Sequence, residues 1–198
     1  MATIGFDLPR NRFFGLCLAL VSSGLIACGS DSNDLQPAPP GGHGHIEIGS
    51  SSPGGGSILM ELPSTTVHVT EGGTVGSLTL WSSSDPALAT LEEDHPDDGL
   101  YALPEGAPVS LEVVALDGGV RFSYGDAILE EPGDSVELGL APFHDHGLWE
   151  VVVPEGVHEG EFDLSFRLTT TTPPYAASEP ATFTLVLTEG EHGDDHNE

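Results

Sequence analysis

Along the middle of the chain, apolar and polar positions alternate with a period of two. Phe162, Leu164, Phe166 and Leu168 interleave with Asp163, Ser165, Arg167 and Thr169. That is the pattern of a strand with one face buried and one face wet. Phe183, Leu185 and Leu187 repeat it against Thr184, Val186 and Thr188. Further β-branched runs predict strands over 109–116, 148–153, 57–62, 66–70 and 77–81. Turn formers punctuate them at short intervals: Pro63, Gly72-Gly73, Pro104, Gly118-Gly119, Pro132-Gly133, Pro154 and Gly156. A Gly/Ser cluster from Ser50 to Ser57 is expected to interrupt the start of the folded region. No window carries a capped amphipathic helix, and no internal repeat is visible. The pattern predicts an all-β domain over residues 43–188. Its expected architecture is an antiparallel β-sandwich, Ig-like or jelly-roll-like.

The two ends differ from this middle. Arg10 and Arg12 precede an apolar run from Phe13 to Ala27, closed by Leu25-Ile26-Ala27-Cys28-Gly29-Ser30. A basic start, a short apolar stretch and small residues before a cut define an export signal, residues 1–27. As a helix the run would rise only about 22 Å, too short to cross a bilayer comfortably. Cys28 directly after Leu-Ile-Ala resembles the lipobox of bacterial lipoproteins, which implies lipidation of its thiol and anchoring to a membrane, with an outer membrane or cell surface favoured. Residues 28–42 read as a flexible Gly/Ser/Pro tether, and residues 189–198 as a disordered His/acid-rich tail.

Composition narrows the function classes. The chain has 198 residues, with four Lys+Arg against 32 Asp+Glu and a net charge of -28. All four basic residues are arginines. Such a polyanion repels phosphate backbones, which excludes nucleic acid as a partner. Lysine Schiff-base chemistry and P-loop phosphate binding are excluded because both need a lysine. There is no G-x-S-x-G elbow, and once the signal has left with Cys17 the single remaining cysteine is Cys28. Catalysis would have to run through metal-activated water.

The nine histidines all follow residue 42. His43-Gly44-His45 and His144-Asp145-His146 are both His-x-His pairs, and on a strand residues i and i+2 share a face. Two such pairs from different strands could supply three or four nitrogens to one ion, and Glu47 would share the face of His45. His144 and His146 adjoin the apolar run Leu148–Val153, a rigid support, whereas His43 sits at the end of the tether. His68 is a further candidate. In the tail, His192 and His196 lie among Glu191, Asp194 and Asp195, a tract suited to weak capture of divalent ions. The loop from Glu92 to Gly99 is acidic, but it lacks the spacing of a calcium loop and reads as solvated.

Two motifs together, Gly44-His45-Ile46-Glu47-Ile48-Gly49 and His144-Asp145-His146-Gly147-Leu148-Trp149, resemble the surface-anchored proteins of the choice-of-anchor M type. Those are related to actinobacterial surface-anchored repeat domains and to zinc-regulated surface proteins. In that group a G-H-[VI]-[DE]-[IL] opening leads into a β domain that closes with H-x-H-x-x-W, a short run, P-G and a last strand. Here Pro154-Glu155-Gly156 stands for the compact P-G, and Leu148 stands where an asparagine is common. The resemblance spans roughly residues 43–188. It implies a surface protein tied to zinc uptake by an ABC transporter, with His45, Glu47, His144 and His146 at the matching positions.

The expectation is therefore an anchored lipoprotein whose β-sandwich binds a transition metal, Zn²⁺ or alternatively Cu²⁺, through His45, His144 and His146, with Glu47 or water as fourth ligand. Neutral imidazole is the binding form, so capture should weaken on acidification. The alternatives are a structural or adhesive surface module without metal function, and a metal-dependent hydrolase.

Overall fold

The computed structural model describes residues 44–188. The signal, Cys28, the tether with His43, and the tail with His192 and His196 lie outside the described residues. Fourteen strands and no helix make up the described chain. They are β1 (His45–Ser52), β2 (Gly55–Glu61), β3 (Thr66–Val75), β4 (Leu78–Ser83), β5 (Ala87–Thr90), β6 (Pro108–Leu116) and β7 (Val120–Tyr124). The second half adds β8 (Ala127–Leu129), β9 (Ser135–Leu140), β10 (His144–Asp145), β11 (Leu148–Pro154), β12 (Glu161–Thr169), β13 (Tyr175–Ala176) and β14 (Ala181–Leu187).

Two sheets form. A nine-stranded sheet runs β8-β7-β11-β4-β3-β14-β12-β6-β9, and a five-stranded sheet runs β10-β5-β1-β2-β13. Pairing is mostly antiparallel, with parallel ladders at β1–β5, β2–β13 and β3–β14. The large sheet curls until its end strands β8 and β9 approach each other, a nearly closed barrel. Tyr124 bridges that seam, its hydroxyl donating from β7 to the Leu138 carbonyl on β9.

The alternation read from the sequence is the alternation of burial. Leu164, Phe166 and Leu168 on β12 and Phe183, Leu185 and Leu187 on β14 all point into the core. At its centre the Trp149 ring meets Phe122, Phe183 and Phe166 at centroid distances of 4.6, 5.0 and 5.6 Å. Tilted and edge-on pairs of this kind each add about 0.5–1.5 kcal/mol beyond area burial. The small sheet contributes Ile46, Ile48, Ile58 and Leu88 to the same cluster. Its inner face is therefore the core face, and its outer face carries the alternate residues.

The Gly/Ser cluster after Ser50 is a hairpin, not an interruption. Ser50–Ser52 end β1, Pro53-Gly54 make the turn, and Gly55 begins β2, with Ser52 opposite Gly55. Gly72 and Gly73 likewise fall inside β3, at a bulge against β4 between Glu71 and Gly73. A bulge places one extra residue in a strand without ending it, and glycine tolerates the distortion.

Candidate metal centre at the edge of the small sheet

Three short strands build the site. β1 pairs in parallel with β5, setting His45 against Ala87 and Glu47 against Ala89. β10 pairs antiparallel with the other edge of β5, setting His144 against Ala89. Paired residues share a face, as do residues two apart on a strand. His45, Glu47 and His144 therefore all project from the outer face, across a strand whose own residues there are alanines. The small alanine side chains leave the space above β5 to the imidazoles. The rings of His45 and His144 meet there with centroids 4.6 Å apart, although 99 positions separate them in the chain.

His146, just beyond β10, lies beside His144 at a centroid distance of 5.3 Å. Its Nδ1 lies 3.0 Å from the Ser84 carbonyl. A carbonyl can only accept, so Nδ1 carries a proton, and in the neutral tautomer this leaves the lone pair on Nε2. This is the outer-sphere arrangement that orients a ligating histidine. The segment around Ser84 is itself fixed. The Ser83 hydroxyl accepts from the Asp85 N–H and donates to the Asp85 carbonyl, and Trp149 Nε1 donates to the Pro86 carbonyl at 3.0 Å.

The strand carrying His144 is held from two directions. Buried Thr90 clamps the residue before it: Phe143 N–H donates to Thr90 Oγ1 at 2.8 Å, and Thr90 N–H donates to the Phe143 carbonyl at 3.0 Å. On the far side, Asp145 Oδ2 accepts from the Tyr124 hydroxyl at 2.6 Å and Oδ1 accepts from the His146 N–H at 2.8 Å. The Tyr124 hydrogen bond holds the Asp145 carboxyl below the usual carboxylate range, helped by the His146 N–H and the two neighbouring imidazoles and opposed by desolvation. Burial, followed by the hydrogen bond and charge of Asp145, pushes the Tyr124 phenol up to about 12. Both oxygens of Asp145 are engaged, so this carboxylate fixes the backbone between His144 and His146.

Gly147 makes the turn from β10 into β11 possible. It is buried, and a Cβ added there would overlap the Phe122 ring. The backbone thus runs directly over a core aromatic as it leaves His146.

Rings bound to one tetrahedral zinc, with Zn–N near 2.0–2.1 Å, have centroids about 5 Å apart. Taken pair by pair, the His45–His144 and His144–His146 spacings of 4.6 and 5.3 Å are of that scale. Among the described residues, no group of three or more His, Cys, Asp or Glu side chains is placed to hold a metal ion. His45 and His144 also line an open cleft of about 310 Å³, with Ala89, Thr90, Pro142, Phe143 and Glu92.

No protein-family model matches the chain, and neither does any curated protein. Among solved structures, the N-terminal domain of PorA is similar at a TM-score of 0.38. It is 9% identical, over 65% of this chain and 90% of that one. A likeness of that size carries no argument here. The residues themselves must carry the reading.

The remaining sequence candidates stand elsewhere. Glu47 is on the same outer face, half-buried, but does not line the cleft. His68 lies on β3 of the large sheet, its Nδ1 3.0 Å from Thr188 Oγ1, apart from the three-ring group. The acidic loop is ordered: His95 bridges Leu100, and Asp94 Oδ1 accepts from the Ala102 N–H. Sequence reasoning passed over Tyr124 and Thr90, and weighed Glu92 only as the start of a solvated acidic loop. Nothing in spacing marks them, since their nearness to the histidines comes from strand pairings between distant segments.

Proposed function

We propose that this protein is an exported lipoprotein, anchored through Cys28, that captures a transition-metal ion, zinc first, at His45, His144 and His146. The observation that carries the reading is the 4.6 Å contact between the His45 and His144 rings, with His146 beside them. Imidazoles drawn from two distant segments onto one exposed face form a donor set that suits zinc and copper more than magnesium or calcium. An ion bound there would act as a Lewis acid and as cargo. The surrounding acid raises the local concentration of cations. Exposure of all three rings favours capture and release over a sealed structural site, and suits handing the ion to a transporter.

The test is elemental analysis of the purified full chain after equilibration with Zn²⁺ near neutral pH. Parallel samples carry His144→Ala with His146→Ala, or His192→Ala with His196→Ala. One equivalent lost in the first pair and retained in the second supports a folded site. Retention in the first pair, or no uptake by the parent, refutes it and leaves the structural or adhesive module.

A further inference from the structure

We infer that the open edge of β2 is a peptide-binding site, taking a short extended segment of another protein that carries apolar and basic side chains. The small sheet ends on β13, which pairs with β2 at Gly56 and Ser57 only. Past Ser57, no strand among the described residues pairs with β2 on the side away from β1. The backbone of Met60 faces that opening. Ser50 exchanges both of its bonds with Tyr101, and the Ile48 carbonyl accepts from Leu91 N–H, so β1 directs these groups away from β2. Ile58 and Met60 oppose Ser50 and Ile48 in the antiparallel ladder, and residues so paired point their N–H and carbonyl groups apart.

A second unfinished edge stands across the opening. Thr184 N–H donates to the Thr65 carbonyl where β14 begins to pair with β3. Thr182, two residues earlier, presents its backbone on the same side before that ladder starts. Between the two edges lies a groove of about 210 Å³, walled by Ile58, Leu59 and Met60 and by Pro180 and Ala181. Small-molecule pockets run from about 300 to 1,000 Å³. This groove suits single side chains of a strand laid along the edge. The inward row is cut short there: Ile48 is fully buried, but Met60, opposite it, is only half-buried. An added strand would cover Met60, its main chain supplying hydrogen bonds and its alternate side chains the selectivity. The open stretch from Ile58 to Glu61 is about 13 Å long, room for about four residues.

Charge selects the occupant. Glu179 stands in the groove wall and Glu61 follows Met60, and both are exposed. The arginines of the described residues, Arg121 and Arg167, are paired with Glu150 and Glu112. At a net charge of -28, a second copy or the chain's own acidic end is repelled from this edge, whereas a basic segment is drawn to it.

The experiment displays random peptides of roughly seven residues, enough to overrun the open edge, to the full chain. Selected sequences are expected to alternate apolar residues and to carry lysine or arginine. They are then synthesised, and fluorescence anisotropy measures their affinity for the parent and its variants. Met60→Pro deletes the N–H that faces the groove and leaves the β1 ladder intact, since proline is tolerated on an edge. It is expected to weaken binding by about tenfold or more. Glu61→Lys with Glu179→Lys, both at exposed positions, should also weaken it, whereas Leu78→Ser on the large sheet should leave it unchanged. Hydrogen exchange at the Met60 amide should slow when peptide binds. Where Met60→Pro fails to fold, the charge reversal decides. Selection of no peptide, selection of acidic ones, or affinity indifferent to these substitutions overturns the assignment. So does a concentration-dependent dimer that Met60→Pro dissociates, because the edge would then belong to a second copy.

Discussion

Tyr124 and Asp145 are joined by a 2.6 Å hydrogen bond between β7 and β10. The same hydroxyl donates to Leu138 on β9. A phenol has one proton to give, so the two acceptors share it, and one side chain ties the barrel seam to the strand bearing His144. Replacing Tyr124 by phenylalanine keeps the ring and removes both bonds. The expected cost is about 1–3 kcal/mol, in the range for a hydrogen bond to a charged group. Chemical denaturation should show a lower midpoint at unchanged slope, and Zn²⁺ affinity should drop because His144 and His146 lose their bracing.

The pair also sets a pH dependence at both extremes. The Tyr124 proton is held more tightly folded than unfolded, up to about 12. Its contribution is complete below the ordinary phenol range and declines as pH rises from there through about 12. Asp145 is lowered, so its contribution is present above the ordinary carboxylate range and disappears as pH falls through its folded value. Thermal unfolding followed over pH should lose the alkaline decline in Tyr124→Phe and part of the acid decline in Asp145→Asn.

Gly147→Ala should be destabilising by about 1–3 kcal/mol, the usual cost of forcing volume into a packed core. The added methyl meets Phe122, which is fully buried against Trp149 and cannot swing away. Near-ultraviolet circular dichroism should report the disturbed aromatic cluster. An unchanged melting temperature would contradict the placement of this turn.

Two ion pairs should behave oppositely. Glu150 is 3% exposed and receives Arg121 Nε at 3.0 Å together with the Ser123 hydroxyl. Arg121→Met leaves that carboxylate buried with one donor and should cost about 3 kcal/mol. Arg167 pairs with Glu112 at 2.6 Å, but both side chains are solvent-accessible. Arg167→Met should cost less than about 1 kcal/mol. Urea denaturation of the two variants distinguishes them.

The long strands were legible because burial imposes a period of two on β12 and β14 with little exception. The short ones were not. Ala87–Thr90 is β5 only because β1 and β10 pair with it, and four residues carry no readable period. β10 is two residues long and exists through its partners. The Ser50–Ser57 cluster looked like a break because its glycines and serines lack apolar signal, whereas a tight hairpin demands such residues. In the same way, a strand position for His45 and for His144 was readable locally. The meeting of His45 with His144 depends on a parallel and an antiparallel ladder meeting on β5, which no local pattern encodes.

The central claim is that His45, His144 and His146 form one cation site. It is tested most directly by titrating the full chain, carrying His192→Ala and His196→Ala, with Zn²⁺ in a calorimeter, beside the same chain with His45→Ala or His144→Ala. One equivalent bound by the parent, with either substitution abolishing or sharply weakening it, is the predicted result. No binding by the parent, or binding indifferent to both substitutions, would contradict it.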